Sequence, residues 1–112
     1  GLGLETAKAL ARLGATVTVA GRDPAKGAAA LCEVEASAPG SRVDFEQVDL
    51  ADLKSIRELV RRQLGKGDPL DLLVNNAGIM SPPKRRLTVD GFEAQFGTNH
   101  LGHFALTIGL LP

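Results

Sequence analysis

Residues 1–22, GLGLETAKALARLGATVTVAGR, join a glycine pair, a helical pattern and a strand pattern in immediate succession. Apolar residues recur with helical spacing from Leu4 to Leu13, and Gly14 follows as a stop signal. Thr16 to Ala20 alternates and is rich in β-branched residues, which is typical of a strand. This stretch therefore predicts a helix followed by a strand, the repeating unit of an α/β fold.

The same alternation of helices and strands continues along the rest of the chain. The further predicted elements are a helix over 25–36 opened by Asp23, a strand over 42–48, a helix opened by Asp52, a strand over 70–74 buried on both faces, and a helical region that Thr88 or Asp90 opens and that bends near 97–102. Strict alternation favours right-handed crossovers and a parallel sheet with helices on both faces. We therefore expect an α/β fold with a doubly wound parallel sheet.

The balanced charge and the cysteine content narrow the function classes. Thirteen basic residues offset thirteen acidic ones, which is not typical of proteins that bind nucleic acid or anionic membranes. The single cysteine, Cys32, excludes an intramolecular disulfide and a multi-cysteine metal site and fits a reducing compartment. The sequence has no apolar run of roughly 18 residues and no signal-peptide pattern, so we expect a cytoplasmic protein without a membrane segment.

The glycine pair at the start has the features of a phosphate-binding turn. Gly1-Leu2-Gly3 leads directly into a helix, whose free N–H groups and dipole favour an anion. Arg22 follows the next strand about 20 residues later, where dinucleotide sites place the residue that reads the adenosine ribose. An arginine there suits a 2′-phosphate and favours NADP over NAD. The alternatives are a flexible terminus for the glycines and a solvated arginine for Arg22.

Four short motifs follow one another along the whole chain. They are Gly1-Leu2-Gly3, Val48-Asp49-Leu50, Asn75-Asn76-Ala77-Gly78 and Thr98-Asn99-His100-Leu101-Gly102-His103-Phe104. Together they resemble the short-chain dehydrogenase/reductase family, and the last motif is similar to its retinol-dehydrogenase-like branch. The resemblance implies a Rossmann-like doubly wound parallel sheet that is incomplete here, with residues 1–112 forming one partial NAD(P)-binding Rossmann domain.

The resemblance also implies a role for each motif residue. The implied cofactor-binding residues are Gly1, Leu2, Gly3, Arg22, Asp49, Leu50, Asn76, Ala77, Gly78 and Ile79. Asp49 would accept a hydrogen bond from the adenine amino group, with Leu50 beside the ring. Asn76 to Ile79 would line the cofactor riboses. Asn99 matches the asparagine of the catalytic tetrad, which in that family supports a water linked to the catalytic lysine.

Two features of the family are missing from this sequence. The Thr-Gly and strand before the glycine turn are absent, and so are the catalytic serine and the Tyr-x-x-x-Lys motif. The chain contains no tyrosine, so it cannot itself supply the family's general acid. The resemblance therefore implies the N-terminal cofactor-binding part of an NADP-dependent oxidoreductase that, at full length, transfers hydride between nicotinamide and a small-molecule carbonyl or alcohol substrate. We expect the fragment alone to be inactive and the full-length protein to form a homo-oligomer.

Two alternatives to the oxidoreductase remain open. The chain is also compatible with a non-catalytic dinucleotide-binding regulatory module and with an inactive truncated product, for which exposed strand edges and low stability are expected. His100 and His103 lie three residues apart, but no carboxylate or cysteine nearby completes a metal set. We expect them to pack or hydrogen-bond along the helix, and we expect Lys84 to Arg86 to form a solvated loop.

Overall fold

The computed structural model describes residues 1–80 and 82–111 and divides the chain into two compact units, residues 1–47 and 48–112. The first unit contains helix α1 (Leu2–Arg12), strand β1 (Val17–Gly21), helix α2 (Pro24–Ser37) and strand β2 (Val43–Gln47). β1 and β2 pair in parallel, with Val17 opposite Val43 and Gly21 opposite Gln47. These elements confirm the predicted α/β fold with an incomplete parallel sheet, while the single domain over 1–112 stays a prediction.

The core of the first unit is built from small apolar side chains. Its buried residues are Ala7 and Ala11 of α1 and Val34 and Ala38 at the end of α2; Leu4, Val17, Val19 and Val43 pack against them. The Lys8 ammonium lies 3.3 Å from a carboxylate oxygen of Glu5 and 3.3 Å from one of Glu33, and so links α1 to α2. Its hydrogen bonds to Glu5 and Glu33 raise the pKa of Lys8.

Helix α2 begins where the sequence predicts and lies close to the sheet. The Asp23 carboxylate accepts hydrogen bonds from the N–H groups of Ala25 and Lys26, and so caps the helix. Gly27, one turn into the helix, packs directly on Phe45 of β2. A Cβ atom at Gly27 would lie 2.5 Å from the Phe45 ring, so the close approach depends on glycine.

The second unit is mainly helical. It contains helix α3 (Leu53–Lys66), the short helix α4 (Ala94–Phe96), a π-helical turn (Gly97–Gly102) and helix α5 (His103–Leu110). Its buried core is formed by Val48, Ile56, Leu59 and Leu106. The π-helical turn confirms the predicted interruption near 97–102. Among the residues that the structure describes, no helix combines the length and apolar character needed to cross a membrane.

The start of α3 has two carboxylate caps, and one of them corrects a sequence prediction. Asp52 accepts a hydrogen bond from the Lys54 N–H at 2.9 Å, as expected. Asp90 accepts one from the Leu53 N–H at 2.8 Å. Neither Thr88 nor Asp90 therefore opens the last helical region. Thr88 instead lies in a tight loop, where its hydroxyl accepts a hydrogen bond from the Phe92 N–H.

Glu93 caps the last helical region instead. Its carboxylate accepts hydrogen bonds from the N–H groups of Gln95 at 2.9 Å and Phe96 at 3.0 Å. These bonds stabilise the charged form, so the pKa of Glu93 is lowered by Phe96 first and Gln95 second. Glutamate is not among the residues that most often cap helices, so the sequence does not predict this cap.

The predicted strand over 70–74 is wrong. The segment has no regular secondary structure, and Leu70, Leu72 and Val74 are 56%, 59% and 49% exposed. Leu73 alone of these apolar residues packs against the second core. An apolar run becomes a strand only when a neighbouring strand pairs with its backbone, and within the described residues β1 and β2 pair with each other.

Candidate functional site

The glycine turn forms the N-terminus of α1, and no side chain caps it. Gly1 occupies the cap position, in contrast to Asp23 at the start of α2. Gly1 and Leu2 are exposed, and Gly3 is half-buried. The first N–H groups of an α-helix lack partners within the helix, so this end can donate hydrogen bonds to an anion.

Arg22 follows the end of β1 and is exposed. Its backbone carbonyl accepts a hydrogen bond from the Gln47 carboxamide at 3.3 Å, which ties the end of β1 to the end of β2. Within the described ranges its guanidinium forms no ion pair. The guanidinium is therefore available to an external anion.

In the second unit, Asp49 and Leu50 form a tight turn before α3. One Asp49 carboxylate oxygen accepts a hydrogen bond from the Ala51 N–H at 2.9 Å, and the Asp49 N–H donates to the Ser55 hydroxyl at 2.9 Å. The Asp49 carboxylate keeps further acceptor capacity, because Ala51 engages only one of its two oxygens. Leu50 is half-buried, and a Cβ atom at Gly102 would collide with its carbonyl oxygen.

The loop 76–79 is fixed by the side chain of Asn99. The Asn99 Oδ1 accepts a hydrogen bond from the Ile79 N–H at 2.8 Å, and the Asn99 Nδ2 donates to the Ile79 carbonyl at 2.7 Å. One carboxamide thus satisfies both backbone polar groups of one residue. A Cβ atom at Gly78 would lie 3.3 Å from Asn99 Oδ1, so glycine lets the loop approach the carboxamide.

A second contact holds the beginning of this loop. The Asn75 carboxamide donates a hydrogen bond to the Thr107 hydroxyl of α5 at 3.2 Å. Asn75 therefore contacts helix α5. Asn76, Ala77 and Gly78 remain exposed between the two anchored ends. An open concavity of about 500 Å³ lies beyond Ile79, lined by Met80, Pro82, Pro83, Lys84 and Arg86.

Asn99 and both histidines belong to the π-helical turn and the start of α5. The His103 ring is buried, and its Nδ1 lies 3.0 Å from the Asn99 carbonyl oxygen. His100 is exposed and stacks on Phe96 with ring centroids 5.1 Å apart. Both contacts run along the helix, as the sequence predicts. π-Helical turns occur frequently at functional sites, because they change how a side chain is presented.

The structure brings together some of the predicted site residues. Gly78, Ile79 and Asn99 are in direct contact. Asp49 and Leu50 form a separate turn, and the hydrogen bonds of Asp49 are with Ala51 and Ser55. Sequence reasoning missed His103 as a neighbour of Asn99, and it missed the pairing of Asn99 with Ile79. The spacing of three to four residues along a helix could have suggested the first contact, but nothing in the sequence indicates the second.

Comparisons with known proteins agree with these motifs. Residues 1–112 match the family described as short chain dehydrogenase. Retinol dehydrogenase 12 of Mus musculus is 50% identical over 111 residues, which are 99% of this chain and 35% of that protein. Polyprenol dehydrogenase of Mus musculus is 47% identical over 112 residues, which are 100% of this chain and 33% of that protein. The chain thus spans about a third of the length of the curated relatives it matches.

The fold comparison agrees. A crystal structure of a Mycobacterium paratuberculosis protein superposes with a TM-score of 0.83 and 50% identity, covering 99% of this chain and 38% of that one. An actinorhodin polyketide ketoreductase solved with NADPH gives a TM-score of 0.78 and 30% identity, covering 99% of this chain and 42% of that one. Because the family matches over all 112 residues, the chain belongs to the short-chain dehydrogenase family.

Proposed function

We propose that this chain is the nicotinamide-cofactor-binding part of an oxidoreductase that transfers hydride between NADP and a small-molecule carbonyl or alcohol. Family membership over residues 1–112 supports the oxidoreductase class.

One observation carries this proposal: the reciprocal hydrogen bonding of Asn99 with Ile79. It holds the loop 76–79 in one conformation before any ligand binds, which lowers the entropy lost on binding. The exposed backbone of Asn76 to Gly78 carries no bulky side chain, so a flat ribose or ring can approach it closely. These features support the loop 76–79 as a contact surface for a nucleotide.

The preference for NADP over NAD rests on Arg22. Its exposed guanidinium has the planar donor fork that binds a phosphate through two hydrogen bonds. An acidic residue at this position would instead bond the ribose hydroxyls of NAD. The ketoreductase solved with NADPH is a family neighbour in which this cofactor was seen, and it supports the same choice here.

Within this proposal each part of the chain has a binding or orienting task. A bound nicotinamide supplies the carbon that gives or accepts hydride. The uncapped start of α1 would bind the diphosphate, Arg22 the 2′-phosphate, and Asp49 the adenine amino group. Asn99 would act by holding the loop next to the nicotinamide ribose. Proton transfer to the carbonyl oxygen needs a tyrosine that this chain does not contain.

Titration of the full chain with NADPH and with NADH, followed by the fluorescence of the bound nicotinamide, tests the proposal. We expect saturable binding with NADPH preferred by roughly tenfold or more, the value of one or two charge-assisted hydrogen bonds. Arg22→Asp should reduce this preference, and Arg42→Asp is its matched control, because Arg42 is another exposed arginine of the first unit. Failure of both cofactors to bind would contradict the proposal.

The alternative to this function is a dinucleotide-binding module that carries out no chemistry. The adjoining coding sequence discriminates between the two. The oxidoreductase requires Thr-Gly ahead of Gly1, and a serine and a Tyr-x-x-x-Lys motif after residue 112. If the full-length protein contains these and reduces carbonyl compounds, the module is excluded. Cofactor binding without turnover would favour it.

A further inference from the structure

The imidazole of His103 is in an unusual position for a titratable side chain. It is buried, with 9% of the residue exposed, at the start of α5. Its Nδ1 lies 3.0 Å from the Asn99 carbonyl oxygen. Because a carbonyl oxygen can only accept a hydrogen bond, Nδ1 must be the donor and must carry a proton. The contact therefore fixes the tautomer of the neutral ring.

The partner of this ring is the residue that fixes the loop 76–79. The Asn99 carbonyl lies inside the π-helical turn 97–102, where α-helical hydrogen bonding is interrupted. Its own side chain pairs with both backbone groups of Ile79. The backbone and side chain of Asn99 are joined at one Cα atom, so a donor that holds the carbonyl also restricts the direction of the carboxamide.

We propose that His103 is a positioning residue for the proposed cofactor loop. Its Nδ1–H holds the Asn99 carbonyl, and this keeps the Asn99 carboxamide aligned with the N–H and C=O of Ile79. Burial supports this role, because a polar ring is costly to desolvate unless it forms a hydrogen bond. The inference rests on the proposed function for its purpose, while its structural claim can be tested without any cofactor.

The first experiment measures the tautomer in the unaltered chain. Long-range ¹H–¹⁵N NMR distinguishes a protonated Nδ1 from a protonated Nε2 in each histidine. We expect the proton of His103 on Nδ1 at neutral pH, with exposed His100 as the internal reference for free exchange between tautomers. A neutral ring with its proton on Nε2 would overturn the proposal, because that ring cannot donate to Asn99.

The second experiment compares two variants of His103 whose carboxamide groups lie at different distances from Cβ. His103→Asn places a donor nitrogen at the same number of bonds from Cβ as Nδ1, whereas His103→Gln places it at the reach of Nε2. We expect hydrogen-exchange protection of the Ile79 N–H to fall about fivefold or more in His103→Gln and to stay within about twofold in His103→Asn. Equal loss in both variants, or no loss in either, would overturn the proposal.

The Ile56 N–H, which donates to the Asp52 carbonyl at the start of α3, reports general unfolding in the same spectra. If it loses protection in both variants, the tautomer measured in the unaltered chain decides the question. NADPH titration of the same proteins separates the two proposals: absence of binding to the unaltered chain would contradict the proposed function. The exchange result would still decide whether His103 positions Asn99.

Discussion

The carboxamide of Asn99 forms two hydrogen bonds with the backbone of Ile79. The Ile79 N–H donates to Asn99 Oδ1 at 2.8 Å, and Asn99 Nδ2 donates to the Ile79 carbonyl oxygen at 2.7 Å. The two residues lie twenty positions apart, so this pair fixes the loop against the last helical region. A carboxamide is the smallest side chain that offers a donor and an acceptor side by side. The contact therefore depends on asparagine rather than on polarity in general.

Replacement of Asn99 by Asp should weaken cofactor binding more than its small change in volume suggests. The aspartate keeps an acceptor for the Ile79 N–H but places a second carboxylate oxygen against the Ile79 carbonyl. The loss of this one hydrogen bond and the repulsion that replaces it correspond to about 1–3 kcal/mol, so we expect the Kd for NADPH to rise by roughly tenfold. Asn75→Asp is the control, because Asn75 makes one bond of 3.2 Å to Thr107. An equal effect of both variants would contradict the special role of Asn99.

Replacement of Arg22 by Asp should move cofactor preference from NADP towards NAD. A carboxylate repels the 2′-phosphate and can accept hydrogen bonds from the ribose hydroxyls. We expect the ratio of the two dissociation constants to change by roughly tenfold or more in favour of NAD, measured by parallel titrations. An unchanged ratio, or an equal change in Arg42→Asp, would refute the role of Arg22.

Replacement of Gly27 by Ala should destabilise the first unit. The added Cβ atom would lie 2.5 Å from the Phe45 ring, so ring and helix must move apart. Overpacking of this kind costs about 1–3 kcal/mol in the free energy of unfolding, which urea denaturation measures. Gly65→Ala in α3 is the matched control, since nothing lies within 4 Å of its added Cβ atom. The control should raise the free energy of unfolding by about 0.5–1 kcal/mol.

Acid should weaken the start of the last helical region through Glu93. Its pKa is lowered in the folded state because the Phe96 and Gln95 N–H groups bond to the carboxylate. The unfolded state then binds the proton more readily, so this stabilisation is present above the ordinary glutamate pKa of 4.5 and is lost as the pH falls through the lower, folded pKa. Thermal unfolding at neutral pH and near pH 3 measures this loss of stability. Glu93→Gln should lose less stability between the two pH values than the unaltered chain.

Local signals in the sequence predict much of this fold, and long-range contacts account for the rest. Asp23 and Asp52 cap the helices that they are predicted to cap, because their bonds reach only two or three residues along the chain. Asp90 has the same chemistry, yet it caps a helix that begins thirty-seven positions earlier. A sequence pattern cannot distinguish these cases, since the choice depends on which helix end the fold brings near.

The candidate site also combines features that the sequence predicts with contacts that it does not predict. The motif around Asn76 and Gly78 identifies the family, and the family match bears this out. The hydrogen bonds of Asn99 with Ile79 and of His103 with Asn99 depend on side-chain direction within a π-helical turn. That direction changes by about 100° for each residue along a helix. A pattern that places the turn to within a few residues therefore cannot fix which atoms meet.

We expect the exposed apolar side chains of Leu70, Leu72 and Val74 to make the solubility of the chain depend on its concentration. Exposed apolar segments without strand partners can pair with the same segment of another molecule, although Asp71 within this segment opposes such pairing. Such self-association is second order, whereas unfolding of one molecule is first order. We expect a tenfold dilution to slow precipitation far more than it changes the unfolding midpoint. In Leu72→Lys the rate of precipitation should depend less on dilution. Dilute solutions will therefore report most directly on the properties of the individual molecule.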